Sequence, residues 1–477
     1  MKLSQLFSEI KTNSVFEDAD VRFITDNSRL VEPGCLFVCI KGNRFDGHDA
    51  AADALAKGAV AAVTERDIGL AGQIIVENTR QAYTLLNAAF YGHPERKLKM
   101  VGVTGTNGKT TTSFIVRDCL EAMGRKAGMI GTVKNVIGGA EEPASLTTPD
   151  ARDLFSILAR MVDCGTEYCV MEVSSQALAQ QRVYGIHFTA AVFTNLTRDH
   201  LDYHGTMENY KAAKKMLFDN SDICIINIDD EAAEYMVSGT KGRVVTFSVE
   251  KNACDYSAKN IRCKAGGVLY ELVSNKEIGR VSFGVPGEFS VYNSMGAAVC
   301  LVELGLDFKG VVDNISLCKG VPGRMEVVPT DTPYTVIIDY AHTPDGLENI
   351  LTALRKTTPG RIIAVFGCGG DRDKTKRPIM GKIGTELADE AVITSDNPRT
   401  EDPDAIIADI LEGVVKHHNK KIIVEPDRTA AIRKALSDAG EGDVVVLAGK
   451  GHETYQILST GKIHYDEREV VANILKS

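Results

Sequence analysis

A chain of 477 residues is too long for one hydrophobic core, so several domains are expected, most simply three. Its 44% hydrophobic and 25% charged residues suit a water-soluble globular protein, and a net charge of −10 argues against a nucleic-acid partner, which usually meets a basic field. No apolar run reaches membrane-spanning length, none of signal-peptide length falls in Met1–Ile10, and the eleven cysteines form no C-x-x-C pair, so no membrane partner and a cytoplasmic chain with reduced thiols are expected.

The first hundred residues carry short β-like runs, GCLFVCIKG and AVAAVTE, and end in the basic, Pro-marked connector YGHPERKLK. A first α/β domain is therefore expected over 1–97. From Met100 the pattern becomes apolar strand, loop and amphipathic helix: KMVGVTG, a helix from Thr110 to Met123, then EYCVMEV, AAVFTN and ICIINID. That alternation predicts a mostly parallel sheet in a central domain over 98–321, closed by the Gly- and Pro-punctuated KGVPGRMEVV. Over 322–477 the β-branched runs YTVIIDY, RIIAVFG, EAVITSD, KIIVEPD and DVVVLAG, with helical patterns between them, predict a Rossmann-like, doubly wound domain. Four of those runs end in a polar sequence, DYAHTP, GCGGDRDK, DNPR and GKGHE, at the strand edge where open parallel sheets bind ligands.

The stretch MVGVTGTNGKTTTS sets a strand against a glycine-rich turn and a helix start, the context of a phosphate loop. Gly105, Thr106, Asn107 and Gly108 would turn backbone N–H groups toward phosphate, Lys109 would reach the terminal phosphates, and Thr110 and Thr111 open the helix. The loop is a variant, since Val103 stands where the strict pattern has its first glycine. Glu172 ends a strand, where an acid can hold the Mg²⁺ that bridges nucleotide phosphates. In TNLTRDHLDYHG, His200 and His204 have zinc-like spacing, yet Leu201 stands where a metalloprotease needs glutamate. In the helix YKAAKKMLF, Ala213 and Leu217 would face the core, Lys211 and Lys215 would project away, and Lys214 would lie at the edge of the apolar face beside Phe218.

G-T-N-G-K-T, E-V-S-S, T-N-L-T-R-D-H-L-D, the A-A-K helix, Asn293 in VYN, PGRME, DYAHTP, DNPR and GKGHE occur together and in order, and with them the chain resembles the Mur ligases, ATP-dependent amide-forming enzymes of peptidoglycan precursor synthesis. The likeness covers nearly the whole chain and is strongest to the members that add the third residue of the peptide. It implies that Ser28, Arg29, Asn43 and His48 lie near the UDP part of the acceptor, and that Thr147, Thr148, Ser174, Gln180 and Arg182 contact its muramoyl-dipeptide. It implies ATP contacts from Asn293, Arg324, Asp339 and His342 besides the phosphate loop, and two Mg²⁺ ions, one with Thr110 and Glu172, the other with His200 and a carbamylated Lys214 (N6-carboxylysine).

Within the family, D-N-P-R resembles the pattern of the enzymes that add meso-diaminopimelate, in effect lysine with a further carboxylate. Pro398 would present Arg399, whose planar guanidinium takes a carboxylate through two hydrogen bonds, and Asp396, Asn397, Gly449, Glu453 and Arg372 would complete that site. The function so implied is ATP-dependent ligation of meso-diaminopimelate to UDP-MurNAc-L-Ala-D-Glu through an acyl phosphate, by a monomer that closes on its substrates about a hinge near residues 319–323. An L-lysine-adding ligase and a folylpolyglutamate synthetase are the alternatives within the class; DNPR and the uridine-type first domain speak against them. A P-loop nucleotide switch should carry N-K-x-D for guanine, which is absent, and a nucleotide-dependent scaffold stays open on motifs alone.

Overall fold

The computed structural model describes residues 1–42, 45–318, 320–415 and 421–476, with the side chain of residue 202 left aside. The chain forms two compact units, Met1–Ser257 with Met295–Val311, and Ala258–Ser294 with Val312–Ser477.

In the first unit, strands Phe23–Thr25, Cys35–Val38, Ala61–Thr64 and Gln73–Ile75 pair in chain order, all parallel. The helix Thr79–Phe90 follows them, its start fixed by Asn78, whose side chain accepts from the Arg80 and Gln81 N–H groups at 3.0 Å each. Tyr83 and Leu86 of that helix join one core with Leu154, Phe155 and Leu158 of the helix Ala151–Asp163.

A second sheet of this unit runs Arg243–Ser248, Ser221–Asn227, Phe188–Phe193, Lys99–Thr104, Tyr168–Glu172 and Ala127–Ile130 in spatial order, all parallel, with Lys134–Ile137 and Ala140–Pro143 added antiparallel. Lys99–Thr104 is central, and its apolar run makes sense there: Met100, Val101 and Val103 have no exposure because helices cover both faces. In register, Thr104 pairs with Phe193 and Val103 with Glu172. Three adjacent strands therefore release their loops side by side at one sheet edge. The helix expected from Thr110 to Met123 spans Lys109–Ala122.

In the second unit, Gly267–Ser274 and Ile278–Phe283 form an antiparallel hairpin. A six-stranded sheet follows the order Glu326–Val328, Thr335–Asp339, Val444–Ala448, Ile362–Phe366, Glu390–Ile393 and Lys421–Val424, parallel except for the first pair. The last long strand in sequence is thus inserted between the second and fourth in space. This reversal of strand order is the doubly wound arrangement expected from the sequence, and it opens a crevice above the carboxyl ends of the strands. DYAHTP, GCGGDRDK, DNPR and GKGHE all leave from those ends. A small antiparallel hairpin, Tyr455–Leu458 with Gly461–His464, completes the unit. Residue 319, the start of the expected hinge, lies outside the described residues.

Candidate active site

The phosphate loop is held by the neighbouring loop after Phe193. Gly105 has φ of +152°, and a Cβ there would lie 1.9 Å from Thr194 Oγ1, so only glycine fits. Thr194 Oγ1 donates to the Asn107 carbonyl at 2.6 Å, and the Asn107 N–H donates to Asn195 Oδ1 at 2.9 Å. Thr106 Oγ1 accepts from Thr197 N–H at 3.0 Å and lies 3.1 Å from the Tyr210 hydroxyl. Gly108, at φ +85°, turns the chain into the helix that begins with Lys109, Thr110 and Thr111. A helix N-terminus with its free N–H groups suits this turn to an anion.

Lys109 Nζ curls back onto the loop, donating to the Gly105 and Thr106 carbonyls at 2.9 and 2.8 Å. Burial lowers its pKa, and the charges of Glu172 and Asp199 oppose that shift. Glu172 is fully buried at its strand end: Oε2 accepts from Thr110 Oγ1 at 2.8 Å and Thr132 Oγ1 at 3.0 Å, while Oε1 accepts from Thr132 N–H at 2.8 Å. Thr132 has no local motif to announce it; only its place at the end of an adjacent strand makes it part of the site.

Lys214 departs from the position expected for it. It is not at the edge of the apolar face but 1% exposed, over the Tyr210 ring at 4.5 Å, with Nζ donating to the Gly105 carbonyl at 2.7 Å. The acceptor comes from the phosphate loop, which helical periodicity does not reveal. Burial, and then the neighbouring Lys109 cation, lower its pKa well below that of an ordinary lysine. His200 sits on the same side, at φ +53°, its ring 6.1 Å from that of Tyr210. Lys211 rests 4.4 Å over the Tyr235 ring and Lys215 pairs with Asp219, so these two do point away as expected.

A cavity of about 360 Å³ joins this centre to a second group of residues: Lys109, His200 and Lys214 line it together with Thr147, Thr148, Ser174, Gln180 and Arg182. Thr148 Oγ1 donates to the Glu172 carbonyl and accepts from Ser174 N–H, at 2.8 and 3.0 Å. Arg182 donates to the Thr148 carbonyl at 2.8 Å and grips Gln180 Oε1 through Nε and Nη2, at 3.1 and 2.7 Å. Gln180 Nε2 in turn donates to the Tyr203 hydroxyl at 3.1 Å, and Tyr203 also lines the cavity. Five residues from two segments, 147–148 and 174–182, thus line the same cavity as the lysines of the phosphate loop and its neighbour.

Ser28 and Arg29 form a short helical turn capped by Asn27, whose side chain accepts from Arg29 N–H at 3.0 Å; Arg29 is exposed. Asn43 lies outside the described residues. His48 is not a free ligand donor: its ring is buried, Nε2 accepts from Glu65 N–H at 3.0 Å, and Nδ1 meets Asp46 Oδ1 at 2.6 Å. It braces the loop after Cys35–Val38 instead of presenting a nitrogen.

In the second unit, Asp339 is buried and accepts from Met325 and Ala341 N–H at 2.7 and 2.8 Å, which fixes the loop that bears Arg324. Arg324 lies 5.3 Å over the Tyr340 ring, and the His342 ring lies 4.5 Å from that ring. Asn293 is buried in the helix Phe289–Glu303.

The DNPR segment is stitched in place on every side. Asp396 sits so close to Gly449, φ +120°, that a Cβ there would lie 2.4 Å from its Oδ2. Asn397 Oδ1 accepts from Ile457 N–H at 2.9 Å, and Asn397 Nδ2 donates to Glu453 Oε2 at 2.9 Å. Pro398 is buried, and the following Arg399 adopts φ of +54°, a backbone form costly for a non-glycine residue. Arg399 N–H donates to the Ile457 carbonyl at 3.0 Å, and its Nη1 to the Gly370 carbonyl at 2.8 Å, leaving the guanidinium half-buried with a fixed direction. Arg372 reaches the same glycine-rich turn: a Cβ on Gly369 would meet Arg399 Nη1 at 2.8 Å and Arg372 Cγ at 3.8 Å. Buried Arg377, which has no motif of its own, clamps the turn by donating to Glu401 and Asp409.

Three family domains match this chain in succession: Mur ligase family, catalytic domain, over residues 20–101; Mur ligase middle domain over 103–301; and Mur ligase, glutamate ligase domain, over 323–451. The chain belongs to the Mur ligase family. It is 47% identical over 471 residues to the UDP-N-acetylmuramoyl-L-alanyl-D-glutamate--2,6-diaminopimelate ligase of Clostridium perfringens, covering 96% of each chain. With the enzyme of the same name from Clostridium botulinum the identity is 45% over 486 residues, covering 100% of both. A solved structure of a ligase of that name superposes with a TM-score of 0.78 at 31% identity, over 100% of this chain and 99% of the other.

Proposed function

We propose that this chain is the ATP-dependent ligase that adds meso-2,6-diaminopimelate to the D-glutamate carboxylate of UDP-MurNAc-L-Ala-D-Glu, in the cytoplasm and as a monomer. The observation that carries this reading is the shared cavity: the phosphate-loop lysine faces Thr147, Thr148, Ser174, Gln180 and Arg182 across one space. A phosphoryl donor and a carboxylate acceptor held there would meet without solvent between them. The identity to named diaminopimelate ligases along the whole chain supports the same substrates.

The division of labour follows the sequence boundaries: 1–97 for the uridine nucleotide, 98–321 for the phosphates of ATP and the acceptor dipeptide, 322–477 for the amino acid and part of ATP. Ser28, Arg29 and Asn43 serve the UDP part, and His48 braces its own loop through Asp46 and the Glu65 N–H. Lys109 neutralises charge on the transferred phosphoryl group, and the loop N–H groups of 105–111 cradle the other phosphates. Asn293, Arg324, Asp339 and His342 take the rest of ATP. The D-glutamate carboxylate attacks the γ-phosphorus and ADP leaves; the amine of the incoming amino acid then attacks the acyl phosphate, and phosphate leaves as the amide forms.

Thr110 Oγ1 and the Glu172 carboxylate are hard oxygen donors 2.8 Å apart, a set that suits Mg²⁺. Lys214 as a plain amine does not suit a second cation beside His200, but as a carbamate it would: its neutral nitrogen adds to the carbon of CO2, loses a proton, and ends in a carboxylate. Mg²⁺ ions held by Thr110 with Glu172, and by His200 with carboxylated Lys214, would supply charge neutralisation for the phosphates. Arg399, oriented by Gly370 and Ile457, receives the distal carboxylate of diaminopimelate, with Arg372, Asp396, Asn397, Pro398, Gly449 and Glu453 around it.

The test is phosphate release from ATP with UDP-MurNAc-L-Ala-D-Glu and meso-diaminopimelate, L-lysine or no amino acid. Release with meso-diaminopimelate alone supports the full reading. Release with lysine alone keeps the ligase and removes the carboxylate clamp; no release in any arm overturns the substrate assignment.

A further inference from the structure

Lys450 lies among the residues just assigned to the amino acid, yet its side chain has no exposure and it can touch no ligand directly. Its Nζ donates to Asn397 Oδ1 at 3.2 Å and to Glu453 Oε2 at 3.3 Å, with the rings of Tyr455 and Tyr465 at 5.9 and 5.8 Å. Asn397 Nδ2 closes the triangle on the same Glu453 oxygen at 2.9 Å. Both described bonds to Glu453 therefore fall on Oε2, and the carboxylate, 13% exposed, turns its other oxygen away from them.

We propose that Lys450 is a positioning residue for the amino-acid substrate: it holds Asn397 and Glu453 as one rigid pair so that Glu453 Oε1 meets the substrate's ammonium group. The inference rests on the assignment of this crevice to the amino acid. An isolated glutamate beside the sheet edge could rotate among several rotamers or fold onto Arg399; a buried cation on Oε2 leaves one orientation. Lys450 also offsets one negative charge in a crevice that must accept a zwitterion with an additional carboxylate, so the pocket binds an ammonium without repelling the carboxylates beside it. A buried lysine is costly to desolvate, and here the two polar contacts and two nearby rings compensate it.

Steady-state kinetics of Lys450→Met in the full chain, varying each of the three substrates in turn, tests this. The expected result is a KM for meso-diaminopimelate raised about tenfold or more, with the KM values for ATP and UDP-MurNAc-L-Ala-D-Glu within about twofold of wild type. Lys450→Arg keeps the cation and should recover part of the loss. In a Glu453→Gln background the Lys450→Met effect should shrink, because the two residues act as a unit. Unchanged KM for meso-diaminopimelate, a parallel rise in all three constants, or an arginine variant no better than the methionine one would overturn the positioning role. A wild-type chain that uses no meso-diaminopimelate would instead remove the substrate reading beneath it, so the two failures are told apart by the wild-type control.

Discussion

Lys109 and Lys214 share one acceptor: both ammonium nitrogens bond the carbonyl oxygen of Gly105, at 2.9 and 2.7 Å. Two positive charges on one carbonyl repel each other, and burial together with the Lys109 cation lowers the pKa of Lys214 well below that of an ordinary lysine, which favours its neutral amine. A neutral amine is the form that reacts with CO2. Carboxylation would then turn the repulsion into attraction, placing an anion beside Lys109.

Mass spectrometry of the intact protein prepared under CO2 should therefore show a species heavier by one carboxyl group, lost on brief acidification and absent from Lys214→Met. Activity should fall on dialysis into CO2-free buffer and return with bicarbonate. An unmodified mass with full activity would exclude the carbamate.

Replacement of Lys109 by Met keeps the bulk of the side chain and removes its charge. Phosphate release should drop by about a thousandfold or more, in the range seen when a preorganised electrostatic contact to a reacting group is lost. Thermal unfolding should change little, since the loop is held by Thr194, Asn195 and Tyr210. Retained turnover would remove this stretch from the reaction.

Arg399→Ala should weaken meso-diaminopimelate by about 10- to 100-fold, the worth of a charge-assisted pair of roughly 1.5–3 kcal/mol, and L-lysine far less. Competition between the two amino acids in the phosphate assay reads this directly. Equal losses for both would assign Arg399 to the architecture of the turn instead of to the second carboxylate.

Far from the site, at the amino ends of the parallel strands, Glu390 is 1% exposed, and burial first, then Asp438, push its carboxyl up from 4.5 to about 7. Because the folded state holds this proton more tightly than the unfolded chain, its stabilising contribution is complete below pH 4.5 and lost as pH rises through about 7. Melting temperatures of Glu390→Gln and wild type should be similar at pH 5 and diverge in favour of the variant at pH 8. Parallel curves would show that Lys421 and Arg361, at 3.4 and 3.9 Å, compensate the ionised carboxylate fully.

Local patterns carried much of the fold. Runs of β-branched residues ended where strands end, and the glycine turn before Lys109 announced its helix within one residue. What local patterns do not carry is who supplies the partner. The depth of Lys214 depends on a carbonyl 109 positions earlier, His48 is sealed by the Glu65 N–H, and Thr132 joins Glu172 only because their strands are neighbours. Arg377 and Lys450 were equally silent, since a buried cation looks in sequence like any surface one until its carboxylates arrive from other loops.

The hairpin Tyr455–His464 contributes no side chain to the proposed chemistry, yet Ile457 bonds both Asn397 and Arg399 through its backbone, and Gln456 Nε2 donates to the Asp396 carbonyl at 2.7 Å. If Arg399 receives the distal carboxylate as proposed, the DNPR segment would depend on a backbone scaffold some sixty positions away in sequence. Grafting DNPR alone into a lysine-adding relative would carry the arginine without its scaffold; exchanging the hairpin along with it would move the specificity as a unit.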